Sequence, residues 1–173
     1  VGIRSGIEEP SYDAEPLAGG VQIRRYGRRI AAQTTVHGDE EDARSAGFRR
    51  LAAYIFGANH QGDRIAMTAP VEQQGSPAGG WVIRFFMPAG STLESLPVPD
   101  DERVELVQVP AETVAVLRFS GDRGADSIAR HTDHLRETLR DAKVWVLDES
   151  GSAVEGRMDL PEGWYALPMD GEE

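Results

Sequence analysis

The chain has 173 residues, of which 18 are basic and 29 acidic, giving a net charge of −11, and it contains no cysteine. That length suits one domain whose core needs no covalent staple. The acidity argues against sequence-blind nucleic-acid binding, and the missing cysteines exclude disulfides, thiolate metal sites, iron–sulfur clusters and cysteine nucleophiles. No apolar run approaches the roughly 20 residues needed to span a bilayer. No basic stretch followed by an apolar one opens the chain at Val1. The expectation is a cytoplasmic protein with a trimmed N-terminus and no membrane span. Nothing in the sequence speaks to oligomeric state.

In chain order, residues 20–26 and 29–37 alternate as two strands joined at Tyr26-Gly27-Arg28. Asp39 is placed to cap a helix, with Glu40, Glu41 and Asp42 at the positive end of its dipole. Phe48, Leu51, Ala52, Ile55 and Phe56 then recur at helical spacing, and Gly57 supplies the stop. Strands are predicted near 64–73 and 80–87. Residues 88–102, with Pro88, Pro97 and Pro99, form a connection. Further strands are predicted near 103–109 and 112–119, then a helix over 123–141, a strand at 144–147, a turn at 148–151 and a weaker strand at 153–158. Strands outnumber helices, an α+β arrangement with mostly antiparallel pairing.

Residues 1–90 hold 10 acidic and 10 basic side chains, whereas residues 91–173 hold 19 and 8, so the whole negative excess lies in the second half. The first half carries the cluster Arg24, Arg25, Arg28 and Arg29. Sliding the chain on itself by 83 residues aligns 19 positions without a gap: Val21-Gln22-Ile23 meets Val104-Glu105-Leu106, and Gly38-Asp39 meets Gly121-Asp122. Strand, turn, strand, Gly-Asp, helix thus occurs twice. The expected architecture is a single domain over 1–173, a distorted antiparallel β-barrel of two pseudo-symmetric repeats (about 20–102 and 103–167), each with one covering α-helix.

The segment Arg64-Ile65-Ala66-Met67-Thr68-Ala69-Pro70-Val71 resembles the hallmark of the SOUL family of haem-binding proteins, close to K-I-x-M-T-A-P-V. Val21-Gln22-Ile23-Arg24-Arg25-Tyr26 is similar to the family's v-x-I-R-x-Y, Phe86-Met87-Pro88 to its Y/F-M-P, and Phe119-Ser120-Gly121 to its F-x-G. Glu9-Pro10-Ser11-Tyr12 resembles its N-terminal strand. The likeness covers about residues 8–147 and implies a duplicated α+β barrel that binds haem. Two departures stand out. The tail Arg157-Met158-Asp159-Leu160-Pro161-Glu162-Gly163-Trp164-Tyr165 lacks the family's R-R-N-E-V ending, and Arg25 stands where some haem-binding members carry histidine.

Haem requires an apolar slot, cations for its propionates and an iron ligand; without cysteine the ligand is His, Met or Tyr. The resemblance implies a groove beside the first helix walled by Phe48, Leu51, Ile55 and Met67, with Arg25 among the arginines that suit propionates. His131 lies on the inward stripe of the second helix, with Ile128, Leu135 and Leu139, and is the leading ligand candidate; a hydrogen-bonded core histidine is the plain alternative. His37, His60 and His134 are the other candidates. No Gly-x-Ser-x-Gly or His-Glu-x-x-His is present and no catalytic constellation is visible. The expected role is a haem or tetrapyrrole carrier or buffer. The alternatives are a small-molecule-binding module like the gyrase-inhibitor-type barrels and a haem-dependent peroxidase-like enzyme.

Overall fold

The two alternating strands at the start of the chain lead into different sheets. The computed structural model describes residues 7–76, 78–121, 125–142, 146–147 and 153–154. In chain order the elements are β1 (Tyr12–Pro16), β2 (Val21–Tyr26), β3 (Arg29–Val36), α1 (Glu40–Ile55), β4 (Val71–Gly75), β5 (Trp81–Phe86), β6 (Glu105–Val109), β7 (Glu112–Leu117), α2 (Ala125–Asp141), β8 (Val146–Leu147) and β9 (Ala153–Val154), with a short 3-10 turn at Ala18–Gly20. They fall into two compact units. The first comprises Val1–Ser11 and Arg28–Pro110, and the second comprises Tyr12–Gly27 and Ala111–Glu173.

The first unit is a four-stranded antiparallel sheet, ordered β4-β5-β3-β6, with α1 on one face. Asp39 caps α1 by accepting a hydrogen bond from the Asp42 amide at 3.0 Å, as its place before three acidic residues predicts. The helix ends in a Schellman arrangement: the Ala58 amide donates to the Ala53 carbonyl and the Gly57 amide to that of Tyr54. Gly57 has a φ of 117°, a conformation that glycine adopts without a Cβ penalty. Ala43, Gly47, Leu51, Tyr54 and Ile55 recur every three to four residues and are the buried face of the helix. They meet a sheet face whose register sets Ala32 beside Phe85 and Thr34 beside Ile83. Leu51, Tyr54, Ile55, Ile83, Phe85, Met87 and Val104 form the core with Ala32. Each large apolar side chain buried there contributes about 1.5–3 kcal/mol. The opposite face is divided: Ala31, Phe86 and Val109 form a buried apolar cluster with Val107, and beside it Arg84 Nη1 donates to Glu72 at 3.0 Å, its Nε to Gln33 at 2.8 Å, and Gln33 Nε2 to Glu105 at 3.1 Å.

The second unit is a three-stranded antiparallel sheet with β2 between β1 and β7. Strand alternation divides β2 in two. Val21 and Ile23 face Ala115 and, four residues apart on α2, Leu135 and Leu139. Gln22, Arg24 and Tyr26 point to the other face. The described parts of β8 and β9 pair as a hairpin.

The α+β class and the antiparallel pairing stand, and the described strands form these separate sheets. One predicted element moves. The strand expected over 64–73 begins only at Val71, and Arg64–Ala69 runs as irregular chain touching the N-terminal segment through the Ala69 amide and the Glu8 carbonyl, 2.8 Å apart. Pro70, without an N–H to donate, bounds the ladder. Residues 143–145, most of 148–158 and the atypical tail 157–173 lie outside the described residues.

Candidate functional site

The predicted apolar wall belongs to the first unit, and α1 divides it by depth. Leu51 and Ile55 sit in the closed core. Phe48 is 42% exposed and rests edge-on against Phe85, ring centroids 5.2 Å apart. Met67 is half-buried against the same core, as are Ile65 and Ala52. Of the predicted wall, Phe48 and Met67 therefore keep accessible surface, and Leu51 and Ile55 do not. Phe56, last in the predicted stripe, is exposed at the helix cap.

A cavity of about 600 Å³ opens elsewhere in this unit, between the C-terminal half of α1 and the loop before β6. Arg50, Ala53, Tyr54 and Ala58 line one side, Asp100 to Val104 the other. Its charges are largely matched internally. Arg103 grips Asp101 through Nε at 2.8 Å and Nη2 at 2.7 Å, and Arg50 Nε lies 3.6 Å from the same carboxylate. The Arg103 hydrogen bonds, with its amide and the charge of Arg50, hold the Asp101 carboxyl down at about 2, below the usual carboxylate range. Burial pushes the Tyr54 hydroxyl up to about 12, and that hydroxyl donates to the Pro97 carbonyl at 2.9 Å. Because folding depresses the Asp101 pKa, its contribution to stability is complete above about pH 4 and is lost as pH falls toward 2. Asp101→Asn is expected to flatten that part of the melting-temperature profile, read by circular dichroism; parallel profiles for variant and parent would refute it.

The four histidines differ in what their rings do. His37 is exposed after β3, and His60 is exposed with Nε2 3.9 Å from an Asp100 oxygen; both belong to the first unit. His131 and His134 lie on α2 in the second unit. His131 Nδ1 is 2.7 Å from the Ser127 carbonyl. A carbonyl only accepts, so Nδ1 carries the proton and Nε2 presents its lone pair. The ring stacks on Phe119 with centroids 4.0 Å apart and planes 12° from parallel. In metal-binding histidines a carbonyl on one ring nitrogen likewise fixes the tautomer and aims the other. His134 spends its Nε2 on the Gly19 carbonyl at 2.9 Å. No cluster of three or more metal-ligating side chains occurs among the described residues, so His131 would ligate alone, as a haem iron allows.

The arginine cluster also separates. Arg25 is exposed and paired with Glu15 at 3.4 Å. Its neighbour Arg24 is 6% exposed and packs with its guanidinium carbon 4.2 Å from the Tyr12 ring centroid. The two adjoin in sequence, and the period-2 alternation of β2 is the signal that sets them on opposite faces. Among the described residues, no helix is long and apolar enough to cross a membrane.

The profile of the SOUL heme-binding protein family matches residues 7–155. Heme-binding protein 2 of Homo sapiens is 30% identical over 151 residues, covering 80% of this chain and 73% of that protein. Heme-binding protein 2 of Mus musculus is 28% identical over 146 residues, covering 76% and 71%. The chain belongs to the SOUL heme-binding protein family.

Proposed function

We propose that the protein binds haem reversibly and serves as a carrier or buffer for it. The observation that carries this reading, beyond family membership, is His131: a tautomer fixed by the Ser127 carbonyl, a ring steadied by Phe119, and an Nε2 lone pair with no hydrogen-bond partner among the described residues. Haem would supply the iron and a flat apolar face. The chain's own contributions are the imidazole of His131 and, in the first unit, the surface of Phe48 and Met67 backed by Leu51 and Ile55. These features lie in different units, and each is proposed and tested on its own.

Titrating the protein with hemin is expected to give a saturable Soret shift near one equivalent. His131→Ala should change the position of that band, since it removes the iron ligand. Phe48→Ala should weaken binding by about tenfold or more, the cost of losing one buried aromatic face. Absence of a saturable shift would overturn the reading. An unchanged spectrum in His131→Ala would remove that residue as ligand and turn attention to His37, His60 and His134.

The pseudo-symmetric barrel is part of the same proposal. Its support is the recurrence of strand, strand and helix as β2, β3, α1 and then β6, β7, α2 at nearly constant offset. One observation favours a second reading, the small-molecule-binding module. The cavity beside α1 keeps Asp100 and Glu102 at its rim while Asp101 is held by arginines, which suits an organic cation. A thermal-shift screen in which such cations stabilise the protein and hemin does not would favour it.

A further inference from the structure

We propose that Arg24 is the seat of an anionic group of the ligand, a tetrapyrrole carboxylate, and that Arg24 rather than Arg25 reads that charge. The proposal rests on the reading that the protein binds haem, but not on His131 as the iron ligand, since Arg24 lies on the face of β2 opposite the one that packs on α2; it adds the residue that recognises the propionate.

Arg24 is a buried cation in a neutral setting. Gln22 Oε1 accepts from its Nε at 3.2 Å and from its Nη2 at 3.1 Å, the Tyr26 hydroxyl accepts from its Nη1 at 3.3 Å, and the Tyr12 ring lies under the guanidinium. None of these partners is charged, and among the described residues no carboxylate pairs with it. Other arginines show the contrast: Arg25 has Glu15, Arg84 has Glu72, and Arg50 and Arg103 share Asp101. A guanidinium withdrawn from water keeps its charge, and a buried charge without a counter-charge is costly to the fold. Such a group is a candidate for function.

The hydrogen-bond inventory says what it lacks. A guanidinium has five N–H donors. Gln22 and Tyr26 engage three of them, leaving one on each terminal nitrogen, the number that a carboxylate accepts from an arginine fork. The register sets Arg24 opposite Ala14 on β1, the edge strand, and Ala14 is exposed and offers only a methyl group. The Tyr12 and Tyr26 rings, with centroids 5.2 Å apart, complete an aromatic flank. A carboxylate borne by a flat apolar body fits this combination better than a free inorganic anion.

The test compares hemin, whose propionates are ionised, with hemin dimethyl ester, which is neutral there. The parent protein is expected to bind hemin about tenfold to a hundredfold more tightly than the ester, the range for a charge-assisted hydrogen-bond pair. Arg24→Lys keeps the charge but not the fork, and should erase most of that preference while the melting temperature holds. Arg25→Gln should preserve it. Equal affinity of the parent for hemin and ester would overturn the proposal and leave the haem reading intact, as would loss of the preference in Arg25→Gln but not in Arg24→Lys. Failure to bind either porphyrin would overturn both. Should Arg24→Lys not fold, the Nε–Hε resonance of Arg24 in the parent decides. It should move on adding zinc protoporphyrin and stay still with the corresponding dimethyl ester; the reverse, or no movement with either, would refute the assignment.

Discussion

Leu51→Ala is expected to destabilise the protein by about 2–5 kcal/mol, the range for truncating a fully buried leucine, with Leu51 0% exposed in the first unit's core. Its neighbours there are the α1 face and the sheet residues Ala32, Ile83 and Phe85. Ala32 is already minimal and Ile83 is pinned by the helix backbone, so little can move in to fill the space, which favours the upper part of that range. Chemical denaturation gives the value directly. The same variant also separates core from wall: the fraction that remains folded should bind hemin with affinity closer to the parent than Phe48→Ala does. A stability change under about 1 kcal/mol, below any buried Leu→Ala value, would mean that Leu51 is a ligand-facing side chain after all.

Gly47→Leu should be at least as damaging, by about 3 kcal/mol or more. Gly47 is mid-helix, where glycine is the weakest ordinary choice, so an added side chain gains about 1 kcal/mol of helix propensity. Sterics outweigh that gain. A Cβ built at Gly47 overlaps Ile83 Cγ1 and comes within 3.0 Å of Ile83 Cβ. The atoms it meets are at the root of a β-branched side chain in the middle of β5, not the end of a flexible one, so either α1 lifts off the sheet or β5 shifts. The check is a double-mutant cycle: Gly47→Leu with Ile83→Ala should cost less than the two single changes added together. Additive losses would show that Gly47 is there for some reason other than close approach of helix and sheet.

The two cases mark where the sequence could and could not be read. Local signals were sufficient for α1: Asp39, the acidic first turn and Gly57 bound it correctly, because caps depend on the backbone of a few neighbouring residues. Depth was harder. Phe48, Leu51 and Ile55 share one apolar stripe, yet only the packing of β3 and β5 beneath the helix decides that Leu51 and Ile55 are sealed in while Phe48 stays at the surface. The role of Gly47 is not legible in the sequence, since a glycine inside a helical pattern looks like a weakness until the opposing Ile83 is known. His131 was placed on the inward stripe from periodicity, but its tautomer depends on the helical turn that brings the Ser127 carbonyl to Nδ1. Arg24 was within reach of sequence reasoning: a period of two on β2 puts it with Gln22 and Tyr26, away from Arg25.

The division of the chain has a consequence for assembly. The second unit is sewn from two distant stretches, and its β2–β7 ladder joins Tyr26 to Glu112 across the whole Arg28–Pro110 segment of the first unit. Bringing the ends of so long a loop together is an entropic burden that grows with the logarithm of its length. The first unit removes most of it, because its own ladder pairs Arg29 with Val109. Once β3 and β6 are aligned, β2 and β7 are tethered by only a few residues on each side and their register is nearly set. Loop-closure entropy thus gives the molecule a direction of construction, in which the unit carrying Phe48 and Met67 prepares the one carrying Arg24, and the reverse order begins from the long loop between β2 and β7.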